Sequence, residues 1–135
     1  MADLILRREL AAPPEQVWVA LTDAGALAAW FWPPDLHPVV AADPRPGGGY
    51  AIASPGRMAV RGSYLLVQPP YRLELSWRWD GDEDETTVRI GLSPVDGGTA
   101  LTLAHEGFPD GASRDDHIQG WSDCLDRLPG YLAAD

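Results

Sequence analysis

The chain contains no lysine, and all ten basic residues are arginines. Without lysine, both Schiff-base chemistry and the lysine-dependent phosphate-binding loop are excluded. Acidic residues outnumber basic residues by 20 to 10, which gives a formal net charge of −10. A chain with this charge repels phosphate backbones and anionic membrane surfaces, so we expect no nucleic-acid partner.

Cysteine is almost absent as well, because Cys124 is the only one. One cysteine forms no internal disulfide, and no Cys/His cluster has the spacing of a zinc site. No apolar stretch approaches the ~20 residues of a membrane span, and the first ten residues lack the pattern of a signal peptide. We therefore expect a cytoplasmic protein with no membrane span, no metal and no cofactor.

The length of 135 residues predicts a single domain spanning residues 1–135. A chain of this size buries roughly two thirds of its unfolded surface, which is enough for a hydrophobic core. No internal repeat, low-complexity tract or interdomain linker interrupts the sequence. The apolar pattern can therefore be interpreted as that of one fold.

The C-terminal segment carries the only long helical pattern. Apolar residues recur at steps of three and four over residues 115–132, which predicts an α-helix with one buried stripe and Ser113 as its cap. Gly120 weakens such a helix by about 1 kcal/mol relative to alanine, and a glycine there usually lets another backbone or a bulky group approach closely. Pro129 should end or kink the helix.

The rest of the chain predicts an antiparallel sheet and two short helices. A first strand stops at Pro13-Pro14, and residues 14–31 have the spacing of two short helices. Six further alternating segments, separated by turns rich in Gly and Pro, follow between residues 37 and 105. The clearest of these strands runs from Tyr71 to Trp79. The predicted order is β-α-α-β-β-β-β-β-β-α.

Several motifs occur together in one order. They are APPEQVW at 12–18, LTD at 21–23, Leu27 and Trp30, Arg61-Gly62, PPYRL at 69–73, GTALTL at 98–103, and Gly120-Trp121 followed by Leu125 and Leu128. As an ordered set they resemble the START-like SRPBCC superfamily and, more narrowly, the heat-shock protein 90 ATPase activator homologues. The resemblance spans nearly the whole chain.

The resemblance implies an α+β helix-grip fold, which is START-like and birch-pollen-allergen-like. In that fold a curved antiparallel sheet of six to seven strands wraps around a long C-terminal helix, with two short helices after strand 1 and a cavity between sheet and helix. Relatives include lipid carriers, allergen-like binders and aromatic polyketide cyclases, so the fold implies little about activity. The eukaryotic activator has an additional N-terminal domain for which this chain has no room, so we do not expect co-chaperone activity to carry over.

Seven side chains are predicted to contact a ligand in such a cavity. Trp77 and Trp79 are the strongest candidates because they continue the inward parity of Leu73 and Leu75 along one strand. The full set is Trp77, Trp79, His105, Trp121, Tyr64, Trp30 and Arg61. For each aromatic residue the alternative is plain core packing, and for Arg61 it is a structural ion pair.

His105 is a weak candidate for catalysis and the only one. Strand parity turns it inward with Leu101 and Leu103, where an imidazole could serve as a hydrogen-bond partner or as a general acid/base. A lone histidine on an apolar face is more often structural, and no partner acid is assignable from the sequence. His37 and His117 are expected at the surface.

The leading hypothesis is a protein that binds a small hydrophobic or aromatic molecule between the sheet and the C-terminal helix. One alternative is an enzyme of the cyclase or hydrolase type, with His105 as acid/base. Another is a stress- or chaperone-linked interaction module, which predicts that Trp30 and Trp32 are exposed together. Whether the chain forms a homodimer stays open.

Overall fold

The computed structural model describes residues 2–134. Seven strands are present: β1 (Ala2–Leu10), β2 (Val39–Ala42), β3 (Gly49–Ser54), β4 (Met58–Gln68), β5 (Arg72–Trp79), β6 (Thr86–Val95) and β7 (Gly98–Phe108). The helices are α1 (Pro14–Thr22), α2 (Ala24–Trp30) and α3 (Gly111–Ala133), with a 3-10 turn at Pro34–Leu36. The predicted order of strands and helices is confirmed.

The strands form one antiparallel sheet in the order β1-β7-β6-β5-β4-β3-β2. Strand β1 pairs with β7 at one edge, and the two short helices that follow β1 carry the chain to β2 at the other edge. The sheet curves around the long C-terminal helix. The helix-grip fold expected from the sequence is thus confirmed.

Alternation along the strands separates the two faces of the sheet. Cross-strand rows such as Leu73–Ile90–Leu103 are buried on the face toward the helices. On the opposite face, Arg89 forms an ion pair with Glu106 at 2.7 Å in an exposed position. Because the side-chain period of a strand is two, this register directs every second residue of β5, β6 and β7 into the core.

The long helix α3 closes the open face of the sheet. Its first turn is capped by Asp110, whose side chain accepts a hydrogen bond from the Ser113 backbone N–H at 2.8 Å, so the predicted Ser113 cap is wrong. The helix also continues past Pro129 to Ala133, so of the two predicted effects of this proline, an end or a kink, the end does not occur. Burial of Leu128 and Leu132 on either side of the proline holds this last turn against the sheet. No helix in residues 2–134 is both long and apolar enough to span a bilayer.

Candidate ligand-binding site

A groove opens between α3, the C-terminal end of β5 and the segment that connects α2 to β2. Its volume is about 500 Å³, which lies within the usual range of small-molecule sites. The groove is lined by Phe31, Trp32, Pro33, Leu36, Met58, Trp77, Trp79, Asp116, His117, Gly120, Trp121, Asp123, Cys124 and Arg127. Five of these residues are Phe or Trp, so the interior of the groove is mainly apolar.

The five Phe and Trp rings of the groove form one connected network of contacts. Trp32 and Trp79 are stacked, with ring centroids 6.1 Å apart and an interplanar angle of 6°. Trp77 meets Trp79 edge to face at 5.6 Å and also contacts Trp121 at 5.1 Å. Such packing fixes the ring planes relative to one another.

Gly120 leaves the helix wall of the groove open. A Cβ built on this glycine would meet no atom within 4 Å, and its neighbours one turn away, Asp116 and Cys124, both line the groove. The sequence suggested that another backbone or a bulky group approaches Gly120, but the structure shows empty space there. The missing side chain therefore enlarges the groove.

Arg127 ties α3 to the end of α2 beside the groove. Its Nε donates to the Trp30 carbonyl at 3.1 Å, and its Nη2 donates to the Phe31 carbonyl at 2.7 Å. These bonds occupy carbonyls that the helix end leaves without intrahelical partners. The other charges in the lining, Asp116 and Asp123, are exposed. The entrance is therefore acidic. The one arginine of the lining donates its hydrogen bonds to backbone carbonyls of the protein.

Cys124 lies deeper in the same wall and behaves as a packing residue. Its Sγ–H donates to the Phe31 carbonyl at 2.9 Å, and the side chain is 5% exposed. Burial raises the pKa of the thiol to about 12. A thiol with this pKa is almost entirely protonated at neutral pH, so it is a poor nucleophile.

Alkylation of Cys124 tests this environment. At pH 8, iodoacetamide is expected to react about 10³-fold more slowly with the native protein than with the protein in urea, since the thiolate fraction falls by about that factor. Mass spectrometry of the alkylated fraction over time measures both rates. Native and denatured rates within tenfold of each other would contradict the buried, protonated thiol.

His117 is a groove residue that sequence reasoning assigned to the surface. Its Nδ1 donates to the Ser113 carbonyl at 2.7 Å, and its Nε2 accepts a hydrogen bond from Trp79 Nε1 at 2.9 Å. The first bond assigns the tautomer with the proton on Nδ1. A signal for this position existed, because His117 lies four residues before Trp121 and therefore shares its helix face.

His105 lies behind Trp121, outside the groove, in a continuous hydrogen-bond chain. Trp121 Nε1 donates to Nδ1 at 2.9 Å, and the proton on Nε2 faces Thr86 Oγ1 at 2.6 Å. Thr86 Oγ1 in turn donates to the Trp77 carbonyl at 3.2 Å. Burial, and secondarily the nearby His117, lowers the pKa of His105 to about 3.

This arrangement contradicts the role of His105 as a general acid/base. The side chain is 0% exposed, and both ring nitrogens are occupied by Trp121 and Thr86. The partner acid or tyrosine that the enzyme hypothesis requires is replaced by an indole and a hydroxyl. His105 is therefore a structural residue, as the alternative interpretation held. It accepts the hydrogen bond of the Trp121 indole.

The remaining predicted ligand residues lie in three places: the groove, a small inner cavity and the outer face of the sheet. Trp77, Trp79 and Trp121 line the groove. Trp30 and Tyr64 lie farther inside, around a cavity of about 40 Å³ that Trp77 and Trp121 also border. That volume is far below the roughly 300 Å³ at which small-molecule sites begin, so direct contact of a ligand with Trp30 or Tyr64 is not supported. Trp30 Nε1 is already bonded to the Ala20 carbonyl at 2.9 Å.

Arg61 is a predicted ligand contact that does not line the groove. In β4 the buried residues Val60 and Tyr64 occupy even positions, so Arg61 points to the outer face. There it forms a bidentate pair with Asp80, at 2.8 and 2.9 Å, in an exposed position. The ligand-contact prediction for Arg61 is wrong, and the ion-pair alternative describes the residue correctly.

Comparison with known proteins identifies the family. The sequence pattern of the family described as "Activator of Hsp90 ATPase homolog 1-like protein" matches residues 11–133. The chain belongs to this family, abbreviated AHSA1. The resemblance noted in the sequence is thereby confirmed, and this AHSA1 protein contains the family pattern over almost its whole length.

Solved structures similar to this AHSA1 protein come from several organisms. A protein of Chromobacterium violaceum is 31% identical, with a TM-score of 0.86 over 98% of both chains. CalU16 of Micromonospora echinospora is 30% identical, with a TM-score of 0.78 over 97% of this chain and 76% of that chain. An Hsp90 activator of Plasmodium falciparum has a TM-score of 0.80 over 98% of this chain and 96% of its own, but at 21% identity this likeness shows only the fold. No curated protein matches the sequence.

Proposed function

We propose that this AHSA1 protein binds a small apolar or aromatic molecule in the groove between α3 and the end of β5. The observation that carries the proposal is the volume of about 500 Å³ walled by five aromatic rings. Apolar sites of this size, with a few polar groups at the edge, are typical of small-molecule binding. The ion pairs and the structural histidine described above do not take part.

Native mass spectrometry of the protein purified from its own host tests this function. We expect an additional mass of small-molecule size at near one copy per chain, released on denaturation and then identifiable as an apolar compound. The same spectrum gives the oligomeric state, including any homodimer. A protein that is empty and also fails to bind planar aromatic probes would contradict the proposal.

A second candidate function is interaction with an Hsp90-type chaperone, which family membership favours. The aromatic patch expected for such a module is not formed by Trp30 and Trp32, because they are 2% and 6% exposed. A partner would have to use another surface. Stimulation of the host Hsp90 ATPase by the purified protein is the measurement, and an unchanged ATPase rate at saturating protein would eliminate this candidate.

A further inference from the structure

Three side chains separate the groove from a second, much smaller hollow. The hollow has a volume of about 20 Å³ and lies between the first turns of α3 and the turn that joins β5 to β6. Trp77, Trp79 and His117 line both the groove and the hollow. A change in the contact between Trp79 and His117 therefore changes a wall of the groove.

The hydrogen bond inside this wall requires a neutral imidazole. Trp79 Nε1 donates to His117 Nε2 at 2.9 Å, and His117 Nδ1 donates to the Ser113 carbonyl at 2.7 Å. Nε2 accepts with its lone pair, so a proton bound there would place a second donor against the indole N–H. Uptake of one proton by His117 thus removes the hydrogen bond that connects Trp79 to α3.

The same hydrogen bond holds the aromatic wall of the groove in place. Trp79 is stacked on Trp32 and meets Trp77 edge to face. Because Trp79 is only partly buried, its ring has room to move once the bond is lost. A site whose rings are already in position binds a ligand at a lower entropic cost, so loss of the bond should weaken binding.

Protons reach His117 more readily than they reach His105. His117 is partly exposed, whereas His105 is 0% exposed and has both ring nitrogens bonded. Burial lowers the pKa of His105 to about 3. Its ring, 5.2 Å from that of His117, therefore stays uncharged over the pH range in which a free histidine titrates.

The charges around His117 favour a protonated ring. Arg127 is the one arginine of either lining among the described residues, and it lies ten residues farther along α3, about 15 Å away. Its Nε and Nη2 donate to backbone carbonyls. A further carboxylate, that of Asp110, caps the start of the same helix. The carboxylates of the two linings outnumber this arginine, and they are Asp82 and Asp84 in the hollow and Asp116 and Asp123 in the groove.

We propose that His117 is a positioning residue that makes ligand binding in the groove sensitive to pH. The neutral ring holds Trp79 in the wall of the groove. The protonated ring loses Trp79 and turns toward the carboxylates of Asp82 and Asp84 in the hollow, so the ligand is released on acidification. This inference rests on the proposed ligand-binding function and adds its regulation.

Binding of N-phenyl-1-naphthylamine, an aromatic probe that stays uncharged between pH 8 and pH 5.5, tests the inference. Fluorescence titration is expected to give a Kd about tenfold higher at pH 5.5 than at pH 8, the typical effect of losing one hydrogen bond. In His117→Gln the amide oxygen can accept from Trp79 and does not titrate. Its Kd should resemble that of the unaltered protein at pH 8 and stay the same at pH 5.5.

His117→Phe is the matched control, because it keeps an aromatic ring but removes the acceptor for Trp79. Its Kd should be about tenfold higher than that of the unaltered protein already at pH 8, with no further change on acidification. Circular dichroism at both pH values checks that each protein is folded. All three proteins retain His105, so its effect on stability is common to them.

NMR of the protein without ligand measures the hydrogen bond directly. The indole N–H resonance of Trp79 should move upfield on acidification, in step with titration of the His117 ring, and should stay in place in His117→Gln. Should the variants fail to fold, these two resonances of the unaltered protein decide the inference.

Failure of this inference differs from failure of the proposed function. A Trp79 resonance that stays in place while His117 titrates, or a Kd with equal pH dependence in the unaltered protein and His117→Gln, would overturn the role of His117 and leave groove binding intact. A His117 ring that does not titrate while the protein is folded would do the same. A protein that binds no probe at pH 8 and is also empty when purified from its host would overturn both.

Discussion

Gly120→Leu is expected to weaken the binding of a planar aromatic probe or of the native ligand by at least about tenfold, equivalent to about 1.4 kcal/mol. The cause is steric, because the new side chain enters the space that the missing Cβ leaves open. A helical side chain also covers the turn on its N-terminal side, and here that turn contains Asp116 and His117 of the groove lining. Calorimetry of the variant and the unaltered protein measures the loss.

The same substitution should stabilise the fold. Leucine exceeds glycine in helix propensity by roughly 0.7 kcal/mol, and no atom lies within 4 Å of the position that its Cβ would take. Urea denaturation should therefore show a higher free energy of unfolding together with weaker binding. Loss of binding in a destabilised variant would have an ordinary folding explanation, whereas loss in a stabilised one identifies the groove as the site.

Gly130→Leu provides the matched control on the same helix. Gly130 also has no atom within 4 Å of a built Cβ, but it does not line the groove. A leucine there should raise helix stability in a similar way and leave ligand affinity unchanged. Equal losses of affinity in both variants would show that helix α3, rather than the space at Gly120, controls binding. Unchanged affinity in Gly120→Leu would remove the groove as the binding site.

The elements and their buried faces could be predicted from the sequence because they follow from periodicity. Alternation in β5 turns Trp77 inward, and helical spacing places Trp121 on the stripe that faces the sheet. Alternation also gives the correct face for Arg61. Val60 and Tyr64 are buried at even positions of β4, so the side chain at the odd position 61 faces outward. Periodicity assigns a face, and a face is enough to define a fold of this kind.

The groove itself depends on contacts that periodicity does not describe. Phe31, Trp32 and Leu36 reach it from an irregular segment, where no repeat indicates which way a side chain points. The role of Gly120 depends on empty space, and the pairing of Trp79 with His117 depends on how α3 lies across the end of β5. The C-terminal end of α3 differs from the prediction for the same reason. Burial of Leu132 is a tertiary contact, and it outweighs the local effect of Pro129.

Acidification is expected to destabilise the protein through His105 by about 3 kcal/mol between pH 7.5 and pH 4. The folded pKa is about 3, below the ordinary value of 6.5, so the unfolded chain takes up the proton first. The contribution of His105 is fully present above pH 6.5 and is lost as the pH falls toward 3. Geometry acts in the same direction, because a proton on Nδ1 would face the N–H of Trp121.

Urea denaturation at several pH values, with His105→Gln beside the unaltered protein, isolates this contribution. Glutamine does not titrate, so the variant should lose about 3 kcal/mol less on acidification while the carboxylates contribute equally to both proteins. If His105→Gln is too unstable to measure, NMR of the His105 ring should show no titration between pH 7.5 and pH 4. A ring that titrates near pH 6.5 would contradict the buried, neutral histidine behind Trp121, and with it the rigid support that the groove receives from β7.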